Sequence, residues 1–150
     1  MKTTPNIMYF TLPGLLPEND DLALNTQFST LTHFSYREGR LLILAEEQFE
    51  SGELRLIEAI LNAYPHYCPN EVLLANCENL TDEFSVQYFR RKLKQAILDG
   101  SYMQYVQPLK LMLIAISKKL GEFNLGLYCL LETGYVLRKG NQEVTRKTVR

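Results

Sequence analysis

The segment that most constrains this chain is Pro108–Gly121 together with the residues immediately after it. Leu109, Leu113, Ile116 and Leu120 recur at intervals of four, three and four, the spacing that lines up side chains on one face of a helix. Lys118, Lys119 and Gly121 close the run. Two short strand-like stretches, 125–131 and 135–139, come next, with Glu132-Thr133-Gly134 between them as a turn. A helix feeding straight into a hairpin excludes an all-helical chain and predicts an α+β fold.

At 150 residues, 46% of them hydrophobic and 22% charged, the chain has the make-up of one ordinary globular domain. That domain is expected over residues 1–140, with 141–150 as a basic flexible tail. The formal net charge of −1 and pI near 6.1 exclude coating of nucleic acid by bulk electrostatics, so any nucleic-acid site must be a local patch. Cys68, Cys77 and Cys129 are odd in number and lack C-x-x-C or paired-histidine spacing, which predicts buried free thiols in a reducing cytoplasm, with no disulfide and no metal. Residues 1–12 do not have the form of a signal peptide, and no run approaches the ~18 apolar residues of a membrane span. A cytoplasmic location, without membrane contact, is the expectation.

Along the chain, Met8–Leu12 reads as a strand and Pro13–Asn25, with Pro13, Gly14, Pro17, Asn19, Asp20 and Asp21, as turns and loop. Leu31–Tyr36 and Arg40–Leu44 flank Arg37-Glu38-Gly39 as a hairpin, with Gly39 free to take the positive φ of its turn. The strands thus fall within 8–45, a helical core within 46–121 and the closing ribbon within 125–139. Glu46–Tyr64 is helical by period, with Leu54, Ile57, Leu61 and Tyr64 forming one apolar stripe and Ile60 beside them, and Pro65 stops it. Pro69 suits the first turn of a second helix, with Val72, Leu73 and Cys77 inward.

A third helix starts at Thr81 or Asp82 and ends at Asp99-Gly100, burying Val86, Phe89, Leu93 and Ala96 or Ile97. Its other side carries Arg90, Arg91, Lys92 and Lys94. The fourth runs from Pro108 to Gly121. Tyr36, Tyr64, Phe84, Phe89, Tyr128 and Tyr135 are expected to pack inside.

Several of these pieces resemble, in order, the DNA-binding domain of OmpR/PhoB-type response regulators. Phe49 and Glu53-Leu54-Arg55-Leu56-Ile57 correspond to that family's "E-x-x-L-L" first helix, Tyr64-Pro65 to the "H-P" that ends it, and Glu71-Val72-Leu73-Leu74 to "R-E-x-L-L". Ile116-Ser117-Lys118-Lys119-Leu120-Gly121 resembles the close of its recognition helix, and Gly134-Tyr135-Val136-Leu137 the "G-Y-x-L" of its wing. The resemblance spans about Leu31 to Lys139. It implies a winged helix-turn-helix with a small N-terminal antiparallel sheet, four main helices and a C-terminal hairpin wing.

The family pattern is altered in three ways. The residues before the hairpin are too few for a receiver domain, so a stand-alone domain is expected; the helix from Thr81 to Asp99 is an insertion; and the recognition-like helix is poor in arginine. The resemblance implies a transcription regulator binding double-stranded DNA, as a homodimer or beside a protein partner. Lys110, Ser117, Lys118 and Lys119 would meet bases or phosphates, while Arg90, Arg91, Lys94, Arg138 and Lys139 would grip flanking backbone. The alternative is a winged-helix module for protein contacts, using Met112, Ile114, Tyr102 and Tyr105. His33 and His66 lack nucleophile or carboxylate spacing around them, and Gly-rich phosphate loops are absent. No enzyme, cofactor or small-molecule substrate is expected.

Overall fold

In the computed structural model, which describes residues 6–140, alternation of apolar and polar side chains builds a four-stranded antiparallel sheet in the order β1-β2-β3-β4. Its strands are β1 (Ile7–Phe10), β2 (Asp20–Asn25), β3 (Thr30–Arg37) and β4 (Arg40–Gln48). Leu22, Leu24 and Leu31 turn inward and are fully buried, as the two-residue period of a strand requires. Glu38 and Gly39 both adopt positive φ, 54° and 75°. This is the geometry of a two-residue turn matched to strand twist.

Two expected boundaries are corrected here. Asp20–Asn25 belongs to a strand instead of a loop, because Asp20, Leu22 and Leu24 alternate inward against β3. The helical core begins at Ser51 instead of residue 46, since Glu46, Glu47 and Gln48 pair with Thr32, Leu31 and Thr30 in the sheet. Tertiary pairing here outweighs their favourable helix propensity.

Helix α1 (Ser51–Ala63) starts where the Glu53 carboxylate accepts the Glu50 N–H at 3.0 Å, capping an otherwise unpaired donor. It buries Leu54, Leu56, Ile57, Ile60 and Leu61. A two-residue strand, β5 (Cys68–Pro69), leads into α2 (Asn70–Cys77), which buries Leu73 and Ala75 while Val72 and Cys77 are half-buried. Helix α3 (Glu83–Asp99) follows Asp82, whose carboxylate accepts the Ser85 hydroxyl at 2.6 Å, and stops at Gly100 in the left-handed conformation, φ 74°. On α3 it is Ala96 that goes inward; Ile97 is exposed and Phe89 half-buried.

Helix α4 runs from Tyr102 to Leu120, six residues earlier than its sequence start, with Pro108 inside it. Pro108 and Gln104 are both exposed. The Gln104 carbonyl that loses its i+4 donor to the proline therefore lies at the water-facing side, where it costs least. A single 3-10 turn (Gly121–Phe123) and Asn124, φ 61°, carry the chain into β6 (Leu125–Leu130) and β7 (Gly134–Lys139). These form a second sheet in the order β5-β7-β6, with Cys68 opposite Tyr135.

One apolar core joins the inner face of the first sheet, α1, α2, α4 and the ribbon. Of the six aromatic side chains expected inside, Tyr135 is buried and Tyr64 and Phe89 are half-buried, whereas Tyr36, Phe84 and Tyr128 are exposed. Tyr36 falls on the outward register of β3, and Phe84 lies in the first turn of α3, off its Val86–Leu93 face.

A polar cluster sits at one end of this core: Asp20 Oδ2 lies 2.8 Å from His33 Nε2, and both Asp20 and Ser35 are buried. Burial alone raises the Asp20 carboxyl pKa, but hydrogen bonds from Ser35 and His33 and the charges of His33 and Arg37 outweigh it, leaving the pKa below 3.8. An acid with a depressed folded-state pKa stabilises the fold above its unfolded value and loses that contribution as pH falls through the folded one. Thermal melts at about pH 6 and about pH 3 should therefore show a smaller acid-induced drop in Tm for Asp20→Asn than for the native chain. Equal drops would remove Asp20 from the acid sensitivity of the fold.

Candidate nucleic-acid interface

Helix α4 presents two opposed stripes. Val106, Leu109, Leu113, Ile116 and Leu120 are buried. Gln104, Gln107, Leu111, Ile114 and Lys118, at the same three-and-four spacing on the far side, are exposed. In the sequence Pro108 reads as a helix start, which gives no signal for the amides at Gln104 and Gln107 as site residues. Only an uninterrupted helix from Tyr102 places them in line with Ile114 and Lys118.

The ribbon is stitched to this helix. Leu127 N–H donates to Ser117 Oγ at 3.2 Å, and a Cβ at Gly126 would lie 3.8 Å from that oxygen, so α4 and β6 pack closely at this point. Between them runs a trough made of two adjoining hollows that share Ser117, Lys118 and Leu127, one also lined by Lys110 and Ile114 of α4 and the other by Tyr128, Arg138 and Lys139 of the ribbon. Thus Lys110, Ser117, Lys118, Arg138 and Lys139, far apart in sequence, share one surface.

Their charges are not equally available. Lys110 Nζ donates to Glu132 Oε1 at 3.2 Å, so the carboxylate in the turn neutralises a helix lysine. Arg138 stacks over the Tyr128 ring, its guanidinium carbon 4.7 Å from the centroid, a contact that leaves its N–H edges open. Lys118, Arg138 and Lys139 are exposed and, among the described residues, have no carboxylate within ion-pair distance.

Lys119 points elsewhere. Its ammonium donates to Glu53 Oε1 at 3.0 Å and to the Gln48 carbonyl at 3.3 Å, and it lies 5.1 Å from the Phe49 ring centroid. Arg90 is tied to Glu71 of α2 at 3.1 Å, while Arg91 and Lys94 are exposed on α3, outside the trough. Arg90 is thus balanced by Glu71, whereas Glu53 serves Lys119 and Glu46 accepts the Thr32 hydroxyl. Residues 141–150, the expected basic tail, lie outside the described residues.

Of the four residues considered for partner contact, Ile114 is 51% exposed; the others are half-buried. Tyr102 donates its hydroxyl to the Glu132 carbonyl at 2.7 Å and accepts from Asn70 Nδ2 at 2.9 Å, bracing the ribbon turn. Met112 packs against the core beside Gly52, and Tyr105 is half-buried on α4.

Burial pushes the Cys68 thiol up to about 12, with Glu71 adding to the shift, so it stays protonated and unreactive at neutral pH. Among the described residues no group of three or more His, Cys, Asp or Glu side chains is placed to hold a metal ion, and no helix is long and apolar enough to cross a membrane. Comparison with known proteins gave no match to a family model, to a curated protein or to a solved structure.

The Lys119 anchor joins α4, α1 and the end of β4. Lys119→Met keeps the aliphatic stem but removes the charge, leaving Glu53 with only the Glu50 N–H; for a pair about a third exposed on the lysine side, a loss of about 1 kcal/mol is expected from chemical denaturation. Unchanged stability would mean that the ion pair contributes nothing to the junction.

Proposed function

We propose that this chain is a small DNA-binding regulator of winged-helix type, with α4 as the helix that enters the major groove and the β6–β7 ribbon as its wing. The observation carrying this reading is the trough that gathers Lys118, Arg138 and Lys139 beside the exposed stripe of α4. At 19 residues α4 is about 28 Å long, and a helix fits the ~12 Å width of the major groove.

Gln104 and Gln107 would hydrogen-bond base edges, Leu111 and Ile114 would meet thymine methyl groups, and Lys118, Arg138 and Lys139 would contact phosphates. Lys119 and Arg90 are left out of the footprint because each already faces a carboxylate. A chain with net charge −1 can still bind this way, because phosphate contact needs local cations and not a basic whole.

The exposed Leu111 and Ile114 also fit the rival reading, a winged-helix module for protein contacts. Salt separates the two. Anisotropy of a mixed-sequence duplex should weaken with added salt at a slope of about −0.9 per phosphate contact, near −3 for the three cations. Lys118→Glu or Arg138→Glu should each make the slope shallower by about 1. Arg91→Glu with Lys94→Glu should leave it unchanged, and Gln104→Ala should alter sequence preference without altering the slope. Duplex binding that ignores salt, or survives both trough reversals, would sink the regulator reading.

A further inference from the structure

We propose that the outer face of the β1–β4 sheet is the surface through which two copies of this chain pair about a two-fold axis. The inner face of that sheet is committed to the core, yet the outer one is also apolar. Tyr9, Phe28, Tyr36, Leu41 and Ile43 lie on it, 62%, 62%, 53%, 53% and 64% exposed. Phe34, at its centre, makes edge-on ring contacts with Tyr9 at 6.1 Å and Tyr36 at 5.8 Å, so these side chains form one continuous patch.

The area suits a dimer. With 150–250 Å² carried by each aromatic side chain, the exposed fractions amount to on the order of 500 Å² of apolar surface. That sits within the ~300–600 Å² of the largest, often functional, patch on a monomer. Bordering Ala23, Asn25, Thr30 and Thr32 bring the face toward the ~800 Å² that each partner buries in a standard interface.

Charge selects the occupant. Among the described residues, the ionised groups lining the face are the carboxylates Asp21 and Glu46, with no cation among them, which disfavours nucleic acid and anionic membranes. Shape favours a second copy. The register sets Tyr9, Ala23, Thr32 and Glu46 in one rank and Asp21, Phe34 and Ile43 in the next, so small Ala23 and Thr32 leave a recess between bulky neighbours. A copy turned through a two-fold lays its own bulky ranks over these recesses, as aligned sheets do when they pack about 10 Å apart. An isologous contact of this kind closes at two chains.

The competing apolar surface, on α3, is broken up. Leu80, Phe84 and Tyr88 border a groove at its N-terminal end and Ile97 and Leu98 lie exposed at the other, with the exposed cations Arg91, Lys92 and Lys94 between the two groups.

The pairing does not depend on the DNA reading and is tested without duplex. Sedimentation velocity of the full chain at about 100 µM should give twice the chain mass, dissociating on dilution. Tyr36→Glu with Ile43→Glu should weaken the dimer by about 100-fold or more, since charge is then placed at the desolvated centre. Far-UV circular dichroism should not change, because both side chains are exposed. Leu41→Lys serves as a second variant with the same expected direction if that pair unfolds the chain. Phe84→Glu with Leu98→Glu should leave the dimer intact. A single-chain mass at that concentration, an assembly larger than two, or a dimer that survives the sheet variants and is lost with the α3 variants would overturn the proposal.

Discussion

The burial of Phe123 is the constraint on which the rest of the molecule hangs. It lies one turn beyond α4, is 1% exposed, and occupies the 3-10 turn that touches β4 before the chain reverses at Asn124 into β6. A side chain of that size cannot be withdrawn without leaving a cavity worth several kcal/mol. The end of α4, the end of β4 and the start of the ribbon are therefore held as one unit. Lys119, reaching the Gln48 carbonyl and Glu53, reinforces the same junction from its polar side. The trough between α4 and the ribbon owes its shape to this fixed corner.

The distribution of charge is a consequence of that packing. Sixteen basic and seventeen acidic residues nearly cancel over the chain. Once folded, Arg90, Lys110 and Lys119 each stand against a carboxylate, whereas Lys118, Arg138 and Lys139 converge on one surface. A nearly neutral protein can in this way carry a local cationic surface. The fields of paired charges cancel at short range, while three cations in one trough add.

The four-stranded sheet has a different character on each side. Its inner leucines are sealed by α1, α4 and the ribbon, and its outer aromatic patch is bounded by Asp21 and Glu46. Among the described residues, then, cations line the trough beside α4, and the ionised groups on the apolar sheet face are carboxylates. Separate surfaces of opposite charge allow two kinds of contact, one to an anionic ligand and one to another copy, without competition for the same side chains.

By itself the sequence determined the features that depend on neighbours within a few residues. The apolar stripes of α1 and α4 come from helical period, the limits of α3 from Asp82 and Gly100, and the β3–β4 hairpin from Glu38-Gly39, because capping and turn chemistry are local; the ribbon turn, expected at Glu132-Thr133-Gly134, instead falls on residues 131–133, with Leu131 and Glu132 at positive φ and Gly134 paired inside β7. Tertiary structure decided the features that depend on distant partners. It drew Glu46–Gln48 into a strand and made a strand of Asp20–Asn25, since each finds its hydrogen bonds on β3. It let Pro108 sit inside a helix by turning that side to water, and it set Cys68 opposite Tyr135, a residue far along the chain. Above all it sorted the lysines and arginines into those that meet a carboxylate and those left facing solvent. Composition cannot express that division, because an ion pair is a matter of distance in space and not of spacing along the chain.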